Sequence, residues 1–171
     1  MLVRRATAAD TGDVRAIHAA AFARAGGGRP AEEVALLDGL LAAGDVLDSL
    51  SLVAEVDGEL VGHVVCSRAA VGAHAVAALG PIGVRPEHQR RGIGSALVHT
   101  ALGAADALEL PLVGLLGSTE YYPRFGFVPS AHVQIDPPEA EWGDHFQIRT
   151  LSAWHPGITG RFRYAPAFGA G

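Results

Sequence analysis

Lysine and asparagine are absent from the 171 residues, so all 13 basic side chains are arginine. The missing lysine removes a Walker-type phosphate loop, a Schiff-base nucleophile and a lysine general base together. A single cysteine, Cys66, excludes an internal disulfide framework and a cysteine-rich metal site. The eight histidines never stand four apart as a helical ligand pair, so no metal is expected. No apolar run approaches the roughly 20 residues that span a bilayer. The charged stretch from Met1 to Thr7 is not followed by the apolar segment of a secretory signal. A cytoplasmic protein without a membrane partner is therefore expected. A basic excess is lacking as well. The net charge of -5 argues against nucleic acid as a partner.

What is present suffices for a core. Hydrophobic residues make up 49% and charged residues 18%, which excludes disorder over most of the chain. The length, with no repeat, low-complexity tract or linker, predicts one domain over residues 1–171. Residues 2–5 read as a strand. Thr7 and Asp10 form a capping box ahead of a helix carrying Val14, Ile17 and Ala21 at helical spacing. The glycine-rich stretch 25–29 breaks that helix. A second one starts at Pro30, has Glu32 and Glu33 in its first turn, buries Val34, Leu37 and Leu41, and closes at Gly44.

A hairpin follows, residues 50–56 and 60–66 around Asp57-Gly58. After a loop of small residues, 76–84 reads as a strand interrupted by Gly80-Pro81 and Gly83. Such an interruption marks an edge, a bulge or close backbone approach by a ligand. Residues 92–108 are helical, with Ile93, Leu97, Ala101, Ala104 and Leu108 on one face, and 112–116 is a buried strand. This strand–helix–strand run implies a right-handed parallel crossover. Residues 121–126 suit a short helical turn, while 133–135 and 146–148 are strand-like. The interleaved Arg161-Phe162-Arg163-Tyr164 suits an edge strand better than an RNA contact in an acidic chain.

The chemistry concentrates where the strand ending at Val84 passes Pro86 and opens through Gly92 and Gly94 into a helix. A helix N-terminus offers unpaired N–H groups and a positive dipole end, and glycines let a pyrophosphate reach the amides. Arg85, Arg90 and Arg91 add positive charge. Taken alone, the same residues also read as a plain turn with a solvated basic cluster. Three other glycine loops are excluded. Leu97 stands where the dinucleotide fingerprint needs its third glycine, the phosphate loop needs lysine, and the kinase set is missing.

Gln89-x-x-Gly92-x-Gly94, preceded by Val84-x-Pro86, resembles the coenzyme-A signature of the GCN5-related N-acetyltransferases. At the right distance, Tyr122-Pro123-Arg124-Phe125-Gly126-Phe127 is similar to that family's Tyr-x-x-x-Gly-Phe. The hairpin with its Val61-Gly62 element resembles the family's central hairpin. Leu79-Gly80-Pro81, the Tyr121-Tyr122 doublet and the tail through Phe168 resemble the YhbS-like subgroup. The resemblance covers essentially the whole chain.

It implies an α/β fold with a twisted mixed sheet, whose bulged fourth strand splays from the fifth. It implies acetyl-CoA as co-substrate, with pantetheine along Ile82, Gly83 and Val84 and pyrophosphate on the amides of Gln89, Arg90, Arg91, Gly92, Ile93, Gly94 and Ser95. Tyr122 carries over as the catalytic acid beside the coenzyme sulfur, and a backbone N–H near Ile82 or Gly83 as the oxyanion donor; of the doublet, Tyr121 is the one that reads as an amphipathic tyrosine packing under the sheet. The implied reaction is acetyl transfer to a primary amine of a small molecule or peptide by direct attack in a ternary complex. A non-catalytic acyl-CoA-binding protein and a transferase of another acyl group stay open. So does a homodimer made by exchange of a C-terminal strand. The family's strand-four acid is missing, since Leu79-Gly80-Pro81-Ile82 holds none. Glu33, His63, His74, Glu120 and a water chain all remain open as the base. The acceptor depends on the loop 25–29, the second helix and residues 137–145, which carry no recognisable code.

Overall fold

The computed structural model describes residues 1–23 and 32–168. The stretch 25–29 and the helix start expected at Pro30 lie outside the described residues. β1 (Leu2–Arg5) leads into the expected cap. The Asp10 carboxylate accepts the Thr7 N–H at 2.7 Å and the Thr7 hydroxyl at 2.9 Å. Arg4 forks onto the same carboxylate at 2.8 and 3.0 Å. These bonds, that of Arg4 first, hold the Asp10 carboxyl well below the usual carboxylate range. β1 is thereby fastened to the start of α1 (Thr11–Ala21), which buries Val14, Ile17 and also His18.

α2 (Glu32–Ala43) buries Val34, Leu37 and Leu40. Leu41, expected on that face, is 46% exposed, because Leu40 completes the row with Leu37. Gly44 then takes φ +69°, as the helix close requires.

β2 (Val46–Val56) and β3 (Glu59–Val71) form the expected hairpin. Asp57 and Gly58 both have positive φ, the requirement of its tight two-residue turn. β4 (His74–Val84) starts earlier than its side chains suggest. The stretch expected as a small-residue loop is strand: Ala69 pairs with Val76 and Ala70 with Ala75. Alanine has little strand preference of its own, but β9 (Gly160–Tyr164) covers this end by pairing with β3 at Ala69, Ala70 and Val71. β9 also pairs with β7 (Ile135–Asp136), so the C-terminal strand is not an edge. Its Phe162 is buried while Arg161 and Arg163 stay exposed, which is ordinary strand alternation. Val133, expected in a strand, ends a 3-10 turn instead, and Gln134 at φ +57° turns the chain before β7.

After β4, α3 (Ile93–Ala107) crosses back to β5 (Leu112–Leu116), which lies parallel to β4. Leu108 falls just past the helix end and is 51% exposed. Leu102 and Ala105 take its expected place in the core. β6 (Val128–Pro129) and β8 (Phe146–Thr150) complete the sheet in the order β1-β2-β3-β4-β5-β8-β6. One face packs Leu52, Ala54, Val61 and Val64 under Leu97 and Val98 of α3. The other packs Val53 and Val65 under α1 and α2. Gly62 of the Val61-Gly62 element has a packing reason: a Cβ there would stand 3.0 Å from both Ile93 and Leu97. No helix among the described residues is long and apolar enough to cross a membrane.

Candidate active site

Two features of β4 open a cleft. Val64 of β3 faces Ile82 and Cys66 faces Leu79, so β4 spends one residue more than β3 over the same interval. The extra residue falls at Gly80-Pro81, where proline supplies no N–H to the ladder. On its other side β4 meets β5 at Ala77–Val113 and Ala78–Gly114 alone, so the two strands part beyond Ala78. The bulge and splay expected of the fourth strand are therefore both present.

The Arg85 N–H donates to Val61 O at 2.8 Å. Antiparallel alternation then turns the backbone groups of Gly83 toward β3 and leaves those of Ile82 and Val84 facing the cleft. The end of β4 runs directly into the loop before α3. Gln89 Nε2 donates to Val84 O at 3.0 Å and holds that loop against the strand. Arg90 and Gly92 both take positive φ, and Gly92, as N-cap, offers no side chain to the first helical amides. Those amides have no intrahelical acceptor. A cavity of about 690 Å³ joins strand and loop. Every residue expected to bind coenzyme lines it, Ile82, Gly83, Val84, Gln89, Arg90, Gly92, Ile93, Gly94 and Ser95, except Arg91. Arg91 is exposed outside the cavity. Arg85, expected near the phosphates, points elsewhere: its Nε donates to Leu60 O at 3.0 Å and lies 3.7 Å from Glu59.

The aromatic turn after β5 closes the far wall. Tyr121 lines the cavity, and a Cβ on Gly94 would stand 3.2 Å from its hydroxyl. Tyr121 also packs against the core, as expected of it, with its ring 5.3 Å from that of Phe125. Arg124, also in the wall, donates to Tyr121 O at 2.9 Å and lies over its ring at 4.6 Å. Tyr122 lies one layer behind. Its ring fills the space that a side chain on Gly117 would occupy and meets Phe127 at 5.8 Å between centroids. Burial first, and the neighbouring Tyr121 second, push its phenol up to about 12. It is thus a protonated acid at neutral pH.

The open candidates for the base separate by position. Glu120 is exposed on its loop, and His74 sits at the opposite end of β4 beside His155. Glu33 stands in the first turn of α2. His63 alone of the four is buried, and it bonds His18. His18 drew no notice in the sequence. Its signal was its place four residues after Val14 on the apolar face of α1. Residues 140–145 form a 3-10 turn whose Glu141, Trp142 and His145 make a shallow hollow with Leu116 and Gly117 at the end of β5.

A bulged strand, splayed from its parallel neighbour and feeding an uncapped glycine loop, is the architecture of an acyl-coenzyme-A transferase. The sequence signature of the acetyltransferase (GNAT) family matches residues 15–127, and the chain belongs to that family. Among its relatives, an uncharacterized N-acetyltransferase of Escherichia coli (strain K12), YjhQ, is 30% identical over 91% of this chain and 87% of its own. A GNAT family acetyltransferase from Brucella melitensis, solved in complex with acetyl-CoA, superposes with a TM-score of 0.77 at 29% identity, over 98% of this chain and 97% of that one. The YhbS N-acetyltransferase of Escherichia coli, solved in complex with CoA, superposes with a TM-score of 0.85 at 26% identity, over 98% and 91%.

Proposed function

We propose that the chain acts as one domain, an N-acetyltransferase that moves the acetyl group of acetyl-CoA to a primary amine by direct attack in a ternary complex. The observation that carries this reading is the continuous cavity along Ile82–Val84 into the uncapped start of α3. The cleft-facing N–H and C=O of Ile82 and the N–H of Val84, whose carbonyl already accepts from Gln89, suit the amide groups of a pantetheine arm, and the first amides of α3 suit a pyrophosphate. Arg90 and Arg124 add charge at the mouth. Family membership and the acetyl-CoA and CoA complexes of similar proteins support the same co-substrate.

In the reaction, the amine lone pair attacks the thioester carbonyl carbon and the C=O electrons move to oxygen. The Ile82 N–H, aimed into the cleft, donates to that oxyanion. Collapse breaks the C–S bond, and Tyr122, which stands behind Tyr121 rather than in the described cavity wall, is the residue proposed to donate its phenolic proton to the leaving sulfur. The absence of an acidic side chain on Leu79-Gly80-Pro81-Ile82 favours a second reading, an acyl-CoA-binding protein without turnover.

Calorimetry with acetyl-CoA and a thiol-release assay over a panel of primary amines separate the two. Binding with turnover on at least one amine is the expected result. Binding without turnover on any amine overturns the transferase reading, and absence of binding overturns both. Propionyl-CoA and succinyl-CoA in the same assay define the acyl preference. The protein's own thiol does not interfere, because Cys66 is fully buried and burial pushes it up to about 12.

A further inference from the structure

His18 and His63 are both buried, at 0% and 1% exposure, on the face of the sheet that α1 covers. His18 Nε2 lies 2.8 Å from His63 Nδ1, and His63 Nε2 lies 3.1 Å from Ser51 Oγ. The far nitrogen, His18 Nδ1, has no hydrogen-bond partner. It rests against Gly83: a Cβ there would stand 3.1 Å away. Gly83 lines the coenzyme cleft. At the other end, Ser51 and His63 line a second cavity of about 550 Å³ between α1, α2 and the start of β2. A line of hydrogen-bonding groups thus runs along the α1 face of the sheet from the strand of the cleft to a separate opening.

A buried polar atom without a partner is costly, and natural proteins rarely leave one. One tautomer set makes the arrangement coherent. With His18 Nε2–H donating to His63 Nδ1, and His63 Nε2–H donating to Ser51 Oγ, the atom left over is a lone pair on His18 Nδ1 facing Gly83. We infer that His18, His63 and Ser51 form a proton relay that takes the proton of the attacking amine through a water beside Gly83 and passes one on into the second cavity. The inference rests on the transferase reading above and supplies the base that β4 lacks.

The step balances as follows. The amine nitrogen gives its proton to the water beside Gly83, which gives one of its own to His18 Nδ1, while the nitrogen electron pair forms the new C–N bond. The Nε2 proton of His18 passes to His63 Nδ1, the Nε2 proton of His63 to Ser51 Oγ, and the original Ser51 hydroxyl proton to cavity water. Both rings remain neutral and exchange one tautomer for the other. After product release the line runs in reverse: Ser51 takes a proton from the second cavity, His63 and His18 return to the first tautomer set, and His18 Nδ1 gives its added proton to a water entering beside Gly83. Desolvation favours neutral rings, pulling His18 down to about 4 and His63, also opposed by His18, to about 3. Arg5 of β1, Arg15 of α1 and Asp48 of β2 line the second cavity with His63 and Ser51. Asp10, ahead of α1 and paired with Arg4 of β1, pulls His63 the other way. Ser51 of β2, Phe22 and the backbone at Gly83 are uncharged.

The test uses the full chain with acetyl-CoA and an amine that the wild type acetylates. His18→Gln and His63→Gln are expected to lower kcat by about 10²-fold, with KM for acetyl-CoA within twofold of wild type. Both should also lose the solvent deuterium isotope effect on kcat. Ser51→Ala, which leaves both rings in place, is expected to lower kcat several-fold with the same loss, and it serves if a histidine variant does not fold. Folded variants with wild-type kcat and isotope effect overturn the relay and leave the transferase reading intact. A wild type that binds acetyl-CoA but acetylates no amine overturns the transferase reading and the relay together.

Discussion

The ring of Tyr122 lies against Gly117 at the end of β5, whereas that of Tyr121 lies over the start of α3. Tyr121 is the N-cap of the 3-10 turn that Tyr122 opens, and each step along such a turn rotates the side chain by roughly 120°. The environments then divide the chemistry. Burial pushes the Tyr122 phenol up to about 12, so it is protonated at neutral pH, the form that the proposed acid role requires. Tyr121, beside the loop amides, suits coenzyme contact. Tyr122→Phe should therefore lower kcat by about 10²-fold with KM for acetyl-CoA unchanged. Tyr121→Phe should chiefly raise that KM. Steady-state kinetics on the two variants check the division, and the reverse pattern would transfer the acid role to Tyr121.

At the scale of elements, the loop between β4 and α3 depends on backbone conformations that only some residues tolerate. Gly92 holds φ +82° at the helix N-cap, where a β-branched side chain is strained by about 1–2 kcal/mol or more. A Cβ on Gly94 would meet the Tyr121 hydroxyl at 3.2 Å. The double variant Gly92→Val, Gly94→Val should bind acetyl-CoA at least about tenfold more weakly, a loss of about 1.4 kcal/mol. Its unfolding should remain cooperative, because the loop is outside the core. Calorimetry and a denaturant titration test both parts. Unchanged affinity would remove the loop from the coenzyme site.

For the whole molecule, the paired histidines tie stability to pH. Their folded pKa values, about 4 and about 3, lie below the ordinary 6.5. An unfolded chain thus binds protons between those limits that the folded chain refuses. Stability should be flat above about pH 6.5 and fall as the pH drops toward 4, by on the order of 1.4 kcal/mol per pH unit for each histidine. His63→Gln should flatten that slope. Urea titrations of wild type and variant between pH 4 and 7 measure it, and equal slopes would mean that the rings charge freely in the fold.

Much of this architecture was legible along the chain because its signals are local. A two-residue Asp-Gly turn, a capping box, a proline and glycine break in a strand and a glycine loop ahead of a helix each state their own geometry within a few residues. They led to the bulged β4, the crossover through α3 and the loop of the candidate coenzyme site. What tertiary structure alone decided was which groups meet from distant segments. It drew Ala69 and Ala70 into a strand by laying β9 beside them, exchanged Leu41 for Leu40 in the core and turned Arg85 back toward Leu60. It brought His18 of α1, His63 of β3 and Ser51 of β2 into one hydrogen-bonded line against Gly83. The physical reason is that hydrogen-bond partners and burial are properties of packed pairs, and no residue's neighbourhood in sequence records which distant surface will cover it.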